Sequence, residues 1–135
     1  MKGTSLKELY SLVFTPPFGS SFVIEVAALT SDNCWYEIVV SDGESSIEPT
    51  CDSPIKNKKL DESLYSWQLI KYKVWDELGK LVSIKEYLYN ERLDESKGFL
   101  FTFEKGCLNV LEQDDGILAT TDSIIDNECI LKELI

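Results

Sequence analysis

Apolar side chains return at Leu6, Leu9, Tyr10 and Val13, the spacing of one helix face, and Thr4 or Ser5 stands where a first turn is capped. This pattern predicts a helix over 5–14. Pro16 and Pro17 then end it, because proline lacks an amide proton and pushes the residue before it into extended backbone. Beyond them the pattern changes to short runs of branched and aromatic residues. Runs at 22–29 and 34–40 flank Ser31, Asp32 and Asn33, a turn composition, and predict a hairpin. The polar stretch 41–63 holds Gly43, Pro49 and Pro54, and leaves room for one short strand around Ile47 in a long loop.

The run 64–75 is the longest strand candidate. It is followed by Gly79 and a second run at 81–89, and a short glycine-containing connection between two such runs predicts a hairpin. Runs at 99–103 and 107–111 repeat the device around Lys105 and Gly106. Asp114, Asp115 and Gly116 make a further turn, 117–121 reads as a strand, and 122–135 fits one helix or a short helix plus a strand. Consecutive hairpins without alternating helices predict an α+β class: an antiparallel β-sheet with the N-terminal helix packed on one face. With 135 residues, 44% of them hydrophobic and 11% aromatic, the chain is expected to form a single globular domain over 1–135 rather than a disordered acidic segment.

Charge adds what the pattern alone does not show. There are 24 acidic residues against 13 basic ones, a net charge of −11, beyond the magnitude of roughly 2 to 8 that keeps a small domain soluble. The surplus is uneven. No basic residue lies between Lys7 and Lys56, and after Lys105 the only one is Lys132. Polar residues also break every long apolar run, so no membrane span is expected, and the N-terminal stretch does not read as a signal peptide. We therefore expect a cytoplasmic protein. Cys34, Cys51, Cys107 and Cys129 form no C-x-x-C pair, and buried, reduced thiols are the expected state, with disulfides as the alternative in an exported protein.

The chain has no histidine, which removes Ser-His-Asp and Cys-His nucleophiles, the H-E-x-x-H zinc helix and an imidazole general base. Its glycines make no phosphate cradle. Carboxylate pairs such as Asp61 with Glu62 or Asp76 with Glu77 could serve glycoside hydrolysis, yet all lie in predicted turns where acids are ordinarily solvated. Asp114, Asp122, Asp126 and Glu128 suggest calcium ligands, but the D-x-[DN]-x-[DN]-G loop is missing. No catalytic residue, cofactor or metal is expected.

Two binding chemistries remain. If 64–75 is one strand, Tyr65, Trp67, Leu69, Lys71, Lys73 and Trp75 share a face, an arrangement that suits stacking on single-stranded nucleic acid. The overall charge opposes that use, since polyanion binding draws on excess lysine and arginine. The simpler expectation packs Tyr65, Trp67 and Leu69 under the helix. An acidic surface instead suits a basic protein partner, because opposite charge steers association. Exposed turn acids are then the candidate contacts: Asp42, Glu44, Glu48 and Asp52 in one block, Glu112, Asp114 and Asp115 in the other. Trp35, Tyr36 or Tyr89 would anchor the contact where exposed, as aromatic residues commonly do.

In size, acidity, lack of catalytic residues and α+β makeup, the chain resembles bacterial toxin-immunity proteins, including those of contact-dependent growth inhibition. That resemblance implies a non-enzymatic cytoplasmic inhibitor that binds and neutralises one basic toxin domain, often a nuclease. A phage-encoded DNA mimic shares the same character, and a nucleic-acid or other ligand-binding sheet module is the alternative.

Overall fold

A computed structural model of the chain describes residues 1–57, 59–71 and 74–135. The first segment is a strand, β1 (Leu6–Phe14), and not the expected helix, so the α+β class gives way to an all-β architecture. The cause is a bulge. Leu6 faces Thr30 but Glu8 faces Leu29, so Lys7 is extra, and Leu6 and Leu9 both turn into the core three positions apart. The spacing that reads as helical is thus a strand with one residue inserted.

Strands β2 (Phe22–Thr30) and β3 (Trp35–Ser41) form the expected hairpin, and β4 (Glu44–Thr50) follows across the two-residue turn Asp42 and Gly43. Both turn residues have positive φ, 51° and 81°, the twist that a two-residue hairpin needs. The polar stretch next holds one helical turn, α1 (Pro54–Asn57). The run 64–75 is not one strand. Among its described residues only Tyr65–Leu69 form a strand, β5, which pairs with β1 rather than with the run at 81–89, and Trp75 lies in a 3-10 turn, Trp75–Leu78.

The second half holds β6 (Leu81–Tyr89), β7 (Arg92–Phe103), β8 (Gly106–Gln113), β9 (Gly116–Thr120) and β10 (Cys129–Glu133). The tail is therefore a loop and a strand. Two five-stranded antiparallel sheets result, ordered β4-β3-β2-β1-β5 and β10-β6-β7-β8-β9. They share one path: a four-strand meander whose fifth strand returns to pair with the first.

The sheets face each other across a single apolar layer. Leu9, Val26 and Ile38 from the first sheet meet Ile84, Phe99, Phe101 and Val110 from the second. Each such side chain contributes about 1.5–3 kcal/mol on full burial. Trp75 and Leu78 join the same layer, with Trp75 Nε1 donating to the Ile70 carbonyl at 2.9 Å. At one corner the sheets are stitched by backbone: Leu81 N donates to Thr4 O at 2.7 Å and Gly3 N to Leu81 O at 2.9 Å.

The crossover that leads into β10 lies over the outer face of the second sheet. Asn109 Nδ2 donates to Asp122 O at 2.9 Å, Lys97 Nζ reaches Asp126 Oδ2 at 2.5 Å, and Asn90 N donates to Glu128 O at 2.8 Å. Beneath it Tyr87, Asn109 and Leu111 are buried. Among the described residues no helix is long and apolar enough to cross a membrane.

Candidate protein-binding surface

Strand register sets out the outer face of the first sheet in rows. Tyr65, Phe14 and Phe22 make one row; Trp67, Leu12 and Glu25 the next; then Leu69, Tyr10, Ala27, Glu37 and Glu48; then Leu29, Trp35 and Thr50, with Glu8 facing Leu29. Rings pack along it. Phe14 meets Tyr65 at 5.1 Å and Phe22 at 5.4 Å between centroids, and Tyr10 meets Trp35 at 5.9 Å. Leu12 and Ala27 lie beneath, buried although they belong to the face turned away from the main core. The aromatic rings give this sheet a second apolar layer.

Carboxylates border the rings. Tyr10 donates to Glu8 Oε2 at 2.7 Å, and this bond, with burial second, holds the phenol above its ordinary range. Glu37 is half-buried and Glu48 exposed in the row that begins at Leu69 and Tyr10. Glu25 is buried beside Leu12. At the β2–β3 turn, the Thr30 hydroxyl donates to Asp32, and this bond above all draws the carboxyl below its ordinary range.

Charge separates by sheet. Strands β2 to β5 hold no lysine or arginine at all, and in β1 the only one is Lys7, whose Nζ reaches Asn33 Oδ1 at 3.3 Å. The second sheet mixes Lys85, Arg92, Lys97 and Lys132 with its acids. Arg92 pairs with Glu95 at 3.3 Å and Lys97 with Asp126.

The predicted contacts divide accordingly. Asp42 and Glu44 are exposed at the β3–β4 turn, and Asp114 and Asp115 are exposed at the β8–β9 turn. Those two turns lie at one end of the molecule, because Gly116 packs against Phe22 and Val23 at the start of β2, beside the end of β3. Glu48 is exposed further along β4. Asp52 is exposed beyond its far end, so at about 3.4 Å per residue it stands well away from Glu44. Glu112 is half-buried opposite Ile117.

Of the aromatic anchors, Trp35 lies on the acidic face; Tyr36, opposite Ala28 and Pro49, does not. Tyr89 carries the Arg92 guanidinium over its ring at 5.2 Å. Tyr65, Trp67 and Leu69 sit on the outer face rather than under a helix, Trp75 is in the core, and Lys73 lies outside the described residues. The sequence reading missed Tyr10 and Glu8 because it placed them on a helix. Glu37 was legible as the alternate neighbour of Trp35 on one strand.

An open cleft of about 510 Å³ lies between the β3–β4 hairpin and the second sheet, where Glu44, Glu86, Asp94 and Lys132 meet Ser45 and Ser96. Ser96 Oγ donates to Ser45 Oγ at 2.6 Å, so these hydroxyls bridge the sheets. Among the described residues, no three or more Cys, Asp or Glu side chains are grouped to hold a metal ion. No protein-family model, curated protein or solved structure matches the chain, so its likeness to other proteins adds nothing to this geometry.

Proposed function

We propose that the protein is a non-enzymatic inhibitor that binds a basic protein through the outer face of its first sheet. The observation that carries this reading is the pairing of aromatic rings with carboxylates on strands that, Lys7 apart, contain no cation. A guanidinium or ammonium group stacks on a ring such as Trp35 or Tyr10 and is held by a flanking carboxylate such as Glu48. Single-stranded nucleic acid fits less well, because the same rings are bordered by Glu8, Glu37 and Glu48 and a phosphate chain is repelled there. The acids at the shared end of the molecule, Asp42, Glu44, Asp114 and Asp115, extend the field that steers a cationic partner.

With the α+β makeup overturned, the resemblance to toxin-immunity proteins in size, acidity and lack of catalytic residues is what suggests the kind of partner, a toxin domain with a basic active-site cleft. The test is co-expression with the C-terminal domain of the protein encoded immediately upstream. Growth arrest by that domain alone, relieved by this chain, supports the reading. Arrest that this chain does not relieve, or an upstream metabolic enzyme with no toxicity, overturns it.

A further inference from the structure

We infer that Cys34 and Cys51 form an intrachain disulfide that closes the open end of the β3–β4 hairpin. The last ladder pair of that hairpin is Trp35 with Thr50. Continued one step, that register brings Cys34, just before β3, opposite Cys51, in the bend just after β4. Both are exposed, against the expectation of buried thiols, and both are unbridged in this structure.

The phase of the ladder favours the bond. In a two-residue hairpin the residues that flank the turn, here Ser41 and Glu44, exchange hydrogen bonds, and bonded and non-bonded pairs alternate from there. Tyr36 with Pro49 then falls on a non-bonded pair, which agrees with the missing amide proton of proline. The same alternation, continued two steps past Tyr36 with Pro49, gives Cys34 and Cys51 a non-bonded position. Opposite Cα atoms at such positions are about 4.5 Å apart, inside the roughly 4.4–6.8 Å that a disulfide spans.

The other two cysteines do not meet. Cys107 is on β8 and Cys129 on β10, with β7 and β6 between them. Three strand spacings of about 4.8 Å put them roughly 14 Å apart, beyond the reach of a bridge.

The oxidant is a small-molecule disulfide such as oxidised glutathione. One cysteine thiolate attacks it, forms a mixed disulfide and releases one glutathione thiol. The second thiolate attacks the protein sulfur of that mixed disulfide and releases the other. Two protein thiols lose two electrons, one glutathione disulfide gains them, and the two protons end on the released glutathiones. The product ties β4, an edge strand, at both of its ends, by the Asp42 and Gly43 turn and by the bridge. The inference does not depend on the partner proposed above, because its readout is the thiols themselves.

The experiment incubates the full chain with oxidised glutathione and counts free thiols, followed by non-reducing peptide mapping. The expected result is a loss of two of the four thiols, one peptide link between Cys34 and Cys51, and full recovery with dithiothreitol. Cys34→Ser and Cys51→Ser should each abolish the link and leave the remaining partner carrying one glutathione. Four unchanged thiols, separate glutathiones on Cys34 and Cys51, or a link to Cys107 or Cys129 would overturn it.

Discussion

The phenol of Tyr87 donates a 2.5 Å hydrogen bond to Oδ1 of Asn109, and both side chains are buried beneath the crossover that leads into β10. Asn109 turns its other end to that crossover, giving Nδ2 to the Asp122 carbonyl at 2.9 Å. Tyr87→Phe strands a buried acceptor, at a cost of about 1–3 kcal/mol. A urea titration should show a lower midpoint with an unchanged slope. Burial above all holds the Tyr87 phenol higher than its ordinary 10.0, with the neighbouring Cys107 adding to the effect. Folding is therefore favoured in full below pH 10.0, and that contribution fades as pH rises toward the folded value. The phenylalanine variant, which has no such group, should lose less stability over that range.

Gly98 permits the bulge in β7 that lets Tyr87 face Gly98 while Leu88 faces Ser96. Its φ is 139°, and a Cβ there would stand 2.0 Å from the Val110 carbonyl oxygen. Gly98→Ala must therefore move the backbone of β7 or β8, and we expect a loss of about 3 kcal/mol or more. The check is thermal unfolding by circular dichroism; a melting temperature equal to that of the parent would refute the close approach.

Lys97 and Asp126 form a well-shielded ion pair, with 23% and 10% of their side chains exposed. The bond from Lys97 is the first cause that draws the Asp126 carboxyl below its ordinary 3.8, and the same bond raises Lys97 above 10.5. The pair thus contributes fully between those two values. Its carboxylate share is lost as pH falls below 3.8 through the depressed folded value, and its ammonium share as pH rises beyond 10.5. Lys97→Met should cost about 1–3 kcal/mol at neutral pH. The difference from the parent should narrow in acid, measured as midpoints of denaturant titrations at several pH values.

Much of the strand content was legible because turn residues announced it. The β2–β3 and β7–β8 hairpins and strand β6 stand where branched and aromatic runs predicted them. Strand β1 was not, since its bulge spaces Leu6 and Leu9 like a helix while its other side also carries apolar residues, Tyr10, Leu12 and Phe14, packed in the aromatic layer. A strand buried on both sides loses the alternation that identifies it. The shared path of the two sheets was equally hidden, for it lies in which strands pair and not in similar residues. Acidity and the gap in basic residues between Lys7 and Lys56 were visible in the sequence, but that this stretch and β5 make up one sheet depends on strand pairing, with β5 joining β1 at the edge.

That separation makes the binding face testable by surface plasmon resonance against the basic partner domain proposed above. Trp35 is half-buried against Tyr10 and offers a rigid stacking surface, whereas Glu48 is exposed near the sheet edge and acts mainly at a distance. Trp35→Ala should therefore accelerate dissociation about 10- to 100-fold, the cost of a central aromatic contact. Glu48→Lys should slow association roughly fivefold, and that difference should vanish as added salt shortens the screening length to about 3 Å near 1 M. Asp122→Lys, exposed in the crossover of the other sheet, serves as the control. If it slows association as much as Glu48→Lys does, net charge alone governs the encounter and the first sheet has no special part in it.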